Sequence, residues 1–219
     1  MSQTDRAQPF AALAEKLADA PTEAATPAWH GDSWSEPILD ELIRSLLIWE
    51  AGPKHAASAY KRIREACVDE NELRICLTDE IAQLLGARFP KAELHAERLR
   101  LVLNDVFGRE HGMSLASLAE LSKRDAKAYL DSMTAAPGFV RSRVLLITLG
   151  AHAFPVDSRI SQSLRDLGFQ HDHSDHEATA SQLERAVRAG HAKPIYLALE
   201  HHAATRKSSR SRSNSVASG

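Results

Sequence analysis

The chain has 219 residues, of which 43% are hydrophobic and 26% are charged, a balance that excludes a disordered or fibrous protein. The formal net charge of −2 excludes a global positive field, so any affinity for DNA requires a local basic patch. Two cysteines exclude a disulfide framework and a four-cysteine metal cluster. We interpret Cys67 and Cys76 as buried apolar residues of a protein in a reducing compartment.

The sequence shows no signal for a membrane or for secretion. No stretch reaches the ~20 apolar residues that span a bilayer. The N-terminus MSQTDRAQPF lacks the basic start and the apolar run of a signal peptide. We therefore expect a cytoplasmic protein without a membrane partner.

The two ends of the chain differ in composition from the centre. Residues 1–36 contain six acidic and two basic residues with three prolines, and they are interpreted as a short helix around 10–20 followed by a linker. Residues 206–219 contain six serines and four basic residues. This segment has too little apolar surface to fold, so we predict a disordered Ser/Arg tail, with weak contact to phosphate as the alternative.

From Pro37 onward the apolar pattern is helical. Pro37 suits a first helical turn, and an apolar stripe runs from Ile38 to Trp49. Apolar spacing predicts further helices at about 53–67, 79–86, 91–110, 115–121, 123–133, 158–167, 178–190 and 194–204. The apolar run Val144–Leu149 fits either a strand or a buried helix by periodicity alone.

The most informative stretch is 129–168, YLDSMTAAPGFVRSRVLLITLGAHAFPVDSRISQSLRDLG. A helix is predicted to end near Met133, Pro137 and Gly138 form a turn, and a second helix begins near Arg141. Asp157 follows a Pro-Val pair and stands at the N-cap position of another helix.

These residues resemble the helix-hairpin-helix motif and the aspartate loop of the endonuclease III superfamily of DNA glycosylases. A-P-G-F-V-R-S-R-V corresponds to the family's L-P-G-V-G-R-K-T-A, and V-D-S-R-I to its V-D-T-H-I. The segments 42–52, 89–103 and 191–203 are more weakly similar. The resemblance implies an all-α domain at 37–205, with two helical lobes, a cleft between them, a helix-hairpin-helix motif at about 123–150, and a buried helix at 144–149.

The resemblance also implies a candidate catalytic residue. Asp157 corresponds to the family's aspartate, which stabilises the positive charge that glycosidic cleavage builds on the sugar. Its position is equally that of a simple helix cap. Ser142 stands where bifunctional members carry a lysine that forms a Schiff base, so lyase activity is not expected. Adenine-removing members also have serine there, but their additional glutamate corresponds to Ser45 here.

The resemblance implies DNA contacts at the hairpin. Family members have glycine-apolar-glycine, whose N–H groups approach a phosphate, whereas here Gly138 is kept and Val140 replaces the second glycine. Because β-branched residues tolerate positive φ poorly, we expect a reshaped hairpin with a weaker phosphate contact. Arg141 and Arg143 are expected either to compensate through charge or to form a solvated helix start. Glu50 replaces the glutamine that fills the gap left by an extruded base, and its charge disfavours a nearby phosphate.

No cofactor or metal is expected. The sequence after His202 has no cysteine, so the family's iron–sulfur loop is missing. The segment 171–176, with three histidines and two aspartates, contains residue types that bind zinc or nickel. Its pattern is irregular, and we interpret it as a polar connection.

Two functions follow from the resemblance. The first is a divergent, monofunctional DNA glycosylase of base-excision repair, which binds double-stranded DNA and hydrolyses the N-glycosidic bond of a damaged or mismatched base. The second is a catalytically inactive relative that acts as a DNA-binding or protein-interaction module. The retained Asp157 favours the first, and the changes at Ser142, Val140 and Glu50 favour the second. If the protein binds DNA, we expect it to be nucleoid-associated. The third hypothesis is a helical interaction module that is unrelated to this family.

Overall fold

The computed structural model describes residues 36–169, 172 and 174–206, and within these ranges every regular element is helical. The all-α prediction is therefore confirmed. The helices are α1 (Pro37–Ile48), α2 (Pro53–Ala66), α3 (Glu70–Ile75), α4 (Thr78–Leu85), α5 (Ala92–Glu110), a 3₁₀ helix (Ala116–Ala119), α6 (Lys123–Asp131), α7 (Gly138–Ile147), α8 (Ser158–Asp166), α9 (His176–Ala186) and α10 (Ala189–Thr205). The predicted helix at 10–20 and the tail after Arg206 lie outside the described residues.

Helix α1 forms the centre of the molecule. Glu36 caps its start, since the carboxylate accepts the N–H groups of Ile38 and Leu39 at 2.9 and 2.8 Å. Leu39, Leu42 and Ile43 are completely buried, and so is the polar side of the helix. A helix that is buried all round packs against neighbours on every side, and α1 contacts α2, α5, α7 and the 3₁₀ helix.

The helices form two lobes. The larger lobe contains α1–α7, held by contacts of α4 with α2 and α5 and of α3 with α5. The smaller lobe contains α8–α10, in which α8 contacts both of the others. Helix α10 also contacts α7, so the second half of the hairpin joins the lobes. Among the described helices, none combines the length and the apolar character that a membrane span requires.

Helices α6 and α7 form the predicted hairpin. The hydroxyl of Ser122 accepts the N–H of Asp125 at 3.1 Å and starts α6. Pro137 is the N-cap of α7, which runs through Val144 to Ile147. The ambiguous apolar run therefore lies largely in a helix rather than in a strand, as the family resemblance implied.

Two helices differ from the sequence prediction. Helix α3 was not predicted, because six residues are too few to show a helical period. In the structure Asp69 caps its start, and the buried Leu73 anchors it in the core. Helix α10 begins at Ala189 rather than near 194 and contains Pro194 in its interior. Proline removes one hydrogen bond there, so the sequence pattern alone favoured a start at that point.

Candidate functional site at the hairpin and the interlobe cavity

Asp157 is the N-cap of α8 and is sealed from solvent. Its Oδ1 accepts the N–H groups of Arg159 and Ile160 at 3.1 and 2.9 Å. Its Oδ2 accepts the N–H of Glu50 and the Nε–H of Arg159 at 3.0 and 2.9 Å. Four donors occupy the lone-pair sites of the carboxylate, and its side chain is 0% exposed. In this conformation Asp157 holds the α1–α2 loop and Arg159 in place.

Glu50 points toward the same helix start. Its Oε1 accepts the N–H and the hydroxyl of Ser158 at 3.1 and 3.0 Å. Its backbone has φ 56°, in the left-handed region that non-glycine residues occupy rarely. Two carboxylates therefore attach the loop 49–52 to the positive end of α8. The Glu50 carboxylate is therefore hydrogen-bonded within the protein, whereas the family resemblance implied that this side chain lies beside DNA.

A cavity of about 670 Å³ lies between the lobes, and Ser142 lines it. Its walls come from the α1–α2 loop, the hairpin, the segment before α8, and α9. The other lining residues are Trp49, Lys127, Asp131, Pro137, Gly138, Phe139, Arg141, Phe154, Val156, His176, Glu177, Ala180, Ser181 and Glu184. Asp157 is not among these residues, although its neighbour Val156 is. The structure therefore places Ser142 on the cavity wall and Asp157 behind it.

The hairpin has ordinary helical geometry. Among the described non-glycine residues, positive φ occurs at Glu50, Lys91 and His111, so Val140 is not strained. Val140 is buried, and its N–H donates to the carbonyl of Pro137 at 2.9 Å in the first turn of α7. The expected reshaping by a positive φ at this position is therefore not observed, because the second hairpin position is a normal helical residue.

Acidic groups already surround the hairpin end. The guanidinium of Arg141 donates to the carbonyl of Asp131 at 3.1 Å and lies 3.5 Å from the Glu177 carboxylate of α9. Glu177 also lies so close to Gly138 that a Cβ there would be 3.4 Å from Oε1. An incoming phosphate would therefore compete with Glu177 for Arg141 and for the start of α7.

Arg143 lies in the core, so the predicted surface role is corrected. Its side chain is 1% exposed and forms an ion pair with Glu41 of α1. It also donates to the Tyr196 hydroxyl at 3.0 Å and lies 3.6 Å from Glu200, both on α10. Burial and the nearby Glu200 raise the pKa of Tyr196 well above its usual value, so Tyr196 stays protonated. The helical period explains the difference: Arg143 follows the buried residues Phe139 and Val140 by four and three positions, which places it on the same inner face of α7.

A second cavity, here called the basic groove, was not indicated by the sequence. It has a volume of about 440 Å³ and is lined by Lys54, His55, Ser58, Arg62, Leu85, Gly86, Ala87, Arg88 and Phe89. Within the described part of the chain, no acidic side chain lines it. Its cationic residues come from α2 and from the α4–α5 loop, so no charge run marks the groove in the sequence.

Trp49 connects the cavity to the basic groove. Its ring centroid lies 5.3 Å from that of His95, and the ring of Phe89 packs on the same histidine at 5.0 Å. Burial lowers the pKa of His95, which favours the neutral ring. The Nδ1 of this ring then donates to the Leu46 carbonyl at 3.0 Å. The cavity-lining Trp49 and the groove-lining Phe89 therefore pack against the same histidine ring.

Metal-binding geometry is not found in the described residues: no group of three or more His, Cys, Asp or Glu side chains is suitably placed. His171 and His173 of the predicted polar connection lie outside this part of the chain. His176 begins α9 and lines the interlobe cavity.

Comparison with known proteins gives structural rather than sequence similarity. No protein-family model and no curated protein matches the sequence. An endonuclease III–DNA covalent intermediate, in an estranged-adenine complex, is similar with a TM-score of 0.65 and 12% identity, over 91% of this chain and 85% of that one. A thermostable thymine-DNA glycosylase gives 0.59 and 16%, over 92% and 90%.

A third solved structure is the H. pylori 3-methyladenine DNA glycosylase bound to 1,N6-ethenoadenine. It gives a TM-score of 0.59 and 10% identity, over 90% of this chain and 93% of that one. All three structures are of DNA glycosylases or their DNA complexes, and each alignment spans nearly the whole chain. The chain therefore has the all-α, two-lobed fold of the helix-hairpin-helix DNA glycosylases.

Proposed function

We propose that this protein is a monofunctional DNA glycosylase-like protein of base-excision repair. The observation that carries the proposal is the interlobe cavity beside the hairpin, in a chain with the glycosylase fold over its described length. Its volume of about 670 Å³ is within the range of small-molecule sites. The half-buried Trp49 in its wall offers an aromatic ring that suits the flat face of a nucleobase.

The basic groove supports binding to the phosphate backbone. Lys54, Arg62 and Arg88 provide cationic side chains, and binding of phosphates by such residues releases counterions. The groove-lining Phe89 and the cavity-lining Trp49 both pack against His95, with 5.0 and 5.3 Å between ring centroids, so the two cavities lie close together. We expect double-stranded DNA to contact the basic groove, with an extruded base entering the cavity.

The chemistry would be hydrolysis without strand cleavage. Ser142 has no amine that could form a Schiff base with the sugar. Asp157 would stabilise the positive charge of the sugar as the glycosidic bond breaks. Since the Glu50 N–H and the Arg159 guanidinium both bind Oδ2, the loop 49–52 and Arg159 must both withdraw before a sugar can approach this oxygen.

The second candidate function is DNA binding without base release. The close contact between Arg159 and Asp157, at 2.8 Å between Nη2 and Oδ2, favours it because this cation already neutralises the carboxylate. In such a protein Asp157 would act only as the cap of α8.

The test combines binding with base release. The wild-type protein is titrated with a duplex containing an abasic-site analogue and with the undamaged duplex, and base release is measured on duplexes with single damaged or mismatched bases. Asp157→Asn keeps a capping oxygen but removes the charge. Asp175→Asn is the matched control, because Asp175 caps α9 through the N–H of Ala178 in the same lobe.

A glycosylase requires preferential binding to the abasic duplex and base release that Asp157→Asn reduces by about 100-fold or more while Asp175→Asn leaves it unchanged. Binding without release, in both the wild type and the variants, would select the second candidate. Absence of DNA binding at moderate salt would overturn both.

A further inference from the structure

The two oxygens of the Asp157 carboxylate have different kinds of partner. Oδ1 accepts the backbone N–H groups of Arg159 and Ile160 and thereby caps α8. Oδ2 accepts the Nε–H of the Arg159 side chain at 2.9 Å, lies 2.8 Å from its Nη2, and also accepts the Glu50 N–H. Oδ1 therefore holds the helix start, whereas Oδ2 holds a side chain and a loop whose withdrawal leaves the cap of α8 intact.

The Arg159 guanidinium lies where α8, the α1–α2 loop and the hairpin meet. Its Nη1 is 3.5 Å from the point at which a Cβ on Gly52 of that loop would stand. Its Cζ is 5.9 Å from the ring centroid of Phe139 in the hairpin. Phe139 lines the interlobe cavity, and so does Val156, the residue before Asp157. The guanidinium is therefore adjacent to the cavity wall on the side of Asp157.

The hydrogen-bonding capacity of this guanidinium is only partly used. The Arg159 side chain is 17% exposed, and its Nη1 is buried without a hydrogen-bond partner in the described part of the chain. A buried donor that lacks a partner is unfavourable. A planar guanidinium matches the oxygens of a phosphate with two parallel hydrogen bonds. A phosphate diester therefore offers Arg159 one more acceptor than the single carboxylate oxygen of Asp157.

We propose that Arg159 binds the phosphate diester of an extruded nucleotide, and that this contact withdraws the guanidinium from Oδ2 of Asp157. The phosphate then neutralises the cation, and the carboxylate regains its charge beside the sugar. Arg159 is thus a substrate-binding residue that also acts as a positioning residue through Asp157. The inference rests on the proposed function, because it concerns the oxygen that would face the sugar.

DNA binding and the uncovering of Asp157 are coupled in this scheme through one side chain. The same N–H groups cannot contact both Oδ2 and a phosphate, so binding must break the ion pair between Arg159 and Asp157. A ligand that requires the open arrangement binds more weakly when the closed arrangement is stable. Weakening the ion pair beforehand should therefore tighten DNA binding, provided that Arg159 is present to gain the phosphate.

The experiment is a double-mutant cycle on DNA affinity. The wild type, Asp157→Asn, Arg159→Gln and the double variant are titrated at moderate salt with a fluorescein-labelled duplex that contains an abasic-site analogue. Fluorescence anisotropy gives the affinities. Asp157→Asn keeps Oδ1 as the cap but places an NH2 group where Oδ2 accepts donors, so the ion pair is lost. Loss of an anion also favours DNA by itself, and the cycle separates that shared effect.

Asp157→Asn should tighten binding by about tenfold in the wild-type background and by at most about threefold in the Arg159→Gln background. Arg165→Gln is the matched background, since Arg165 is an exposed cation on the same helix, and there the gain should remain about tenfold. Arg159→Gln alone should lower the slope of log K against log salt by about 0.9, the value for one phosphate contact. Arg159→Lys should keep this slope, because its ammonium group still contacts phosphate.

Equal gains from Asp157→Asn in all three backgrounds would overturn the proposal, and so would a salt slope that Arg159→Gln leaves unchanged. Circular dichroism confirms folding of each variant. Should Arg159→Gln not fold, Arg159→Met, which keeps the aliphatic stem, replaces it in the cycle and in the salt titration. Base release is measured in parallel on the wild type: its absence alone would overturn the glycosylase but leave this proposal to the affinities. A wild type without DNA affinity would overturn both.

Discussion

At the scale of single residues, the predicted site residues have very different surroundings. Asp157 is enclosed by four donors, Ser142 lines a cavity, and Arg143 is inside the core. Arg141 and Arg143 are two positions apart on α7. Their burial differs because residues two positions apart in a helix face different directions. The sequence motif predicted the helix, but only packing separates a surface arginine from a buried one.

Replacing Arg143 by methionine should destabilise the protein by about 3 kcal/mol or more. The change leaves the carboxylates of Glu41 and Glu200 buried without their cation. Urea unfolding followed by circular dichroism measures the loss. The control is Lys61→Met, whose ion pair with Glu65 at 3.7 Å joins side chains that are 76% and 62% exposed and should contribute less than about 1 kcal/mol. Equal losses in both variants would contradict the importance of the buried pair.

At the scale of elements, the hairpin and α9 are electrostatically coupled. Helix α9 presents Glu177 to the start of α7, where Arg141 lies. Glu177 is 82% exposed, so the interaction is screened by salt and weak, and it can open when a stronger anion arrives. The hairpin is therefore competent for phosphate only after an acidic side chain has moved away.

If DNA binds at the hairpin, Glu177→Gln should tighten binding by about two- to fivefold at low ionic strength, because it removes an anion worth about 0.5–1 kcal/mol at a helix start. Fluorescence anisotropy with a labelled duplex measures the affinity. Glu65→Gln changes the net charge equally at an exposed position on α2, where Glu65 lies 3.7 Å from Lys61. The same gain in affinity in both variants would show that the effect comes from net charge and not from the position of Glu177.

At the scale of the whole molecule, the two lobes are joined where α1, α7 and α10 meet. The ion pairs of Arg143 with Glu41 and Glu200 connect all three helices. Trp49 of the cavity wall and Phe89 of the basic groove both pack against His95. Within the described residues, the groove brings Lys54, Arg62 and Arg88 together with no acidic side chain in its lining.

The double variant Lys54→Gln and Arg88→Gln should weaken DNA binding and lower the salt dependence of the affinity. Each lost phosphate contact reduces the slope of log K against log salt by about 0.9, so two contacts give about 1.8. Titrations at several salt concentrations measure this slope. Lys61→Gln, on the same helix but outside the groove lining, should leave it unchanged. An unchanged slope in the double variant would exclude the groove from the DNA interface.

Local sequence patterns were sufficient to predict the helical class, the hairpin, and the helix start at Asp157. These features depend on local rules: apolar periodicity, a Pro-Gly turn, and a capping aspartate, each contained within a few neighbouring residues. The letters around Pro137 and Asp157 also indicated the glycosylase fold, which the solved structures confirm over nearly the whole chain.

The contacts of these residues depend on how distant parts of the chain pack together. The contact between Glu50 and Asp157 joins positions 107 apart, and the Arg143–Glu41 pair joins positions 102 apart. The basic groove likewise collects cations from α2 and the α4–α5 loop, and α3 is held in place by contacts with α5. Burial and long-range pairing arise from packing of the lobes, whereas periodicity describes only which face of a helix is apolar.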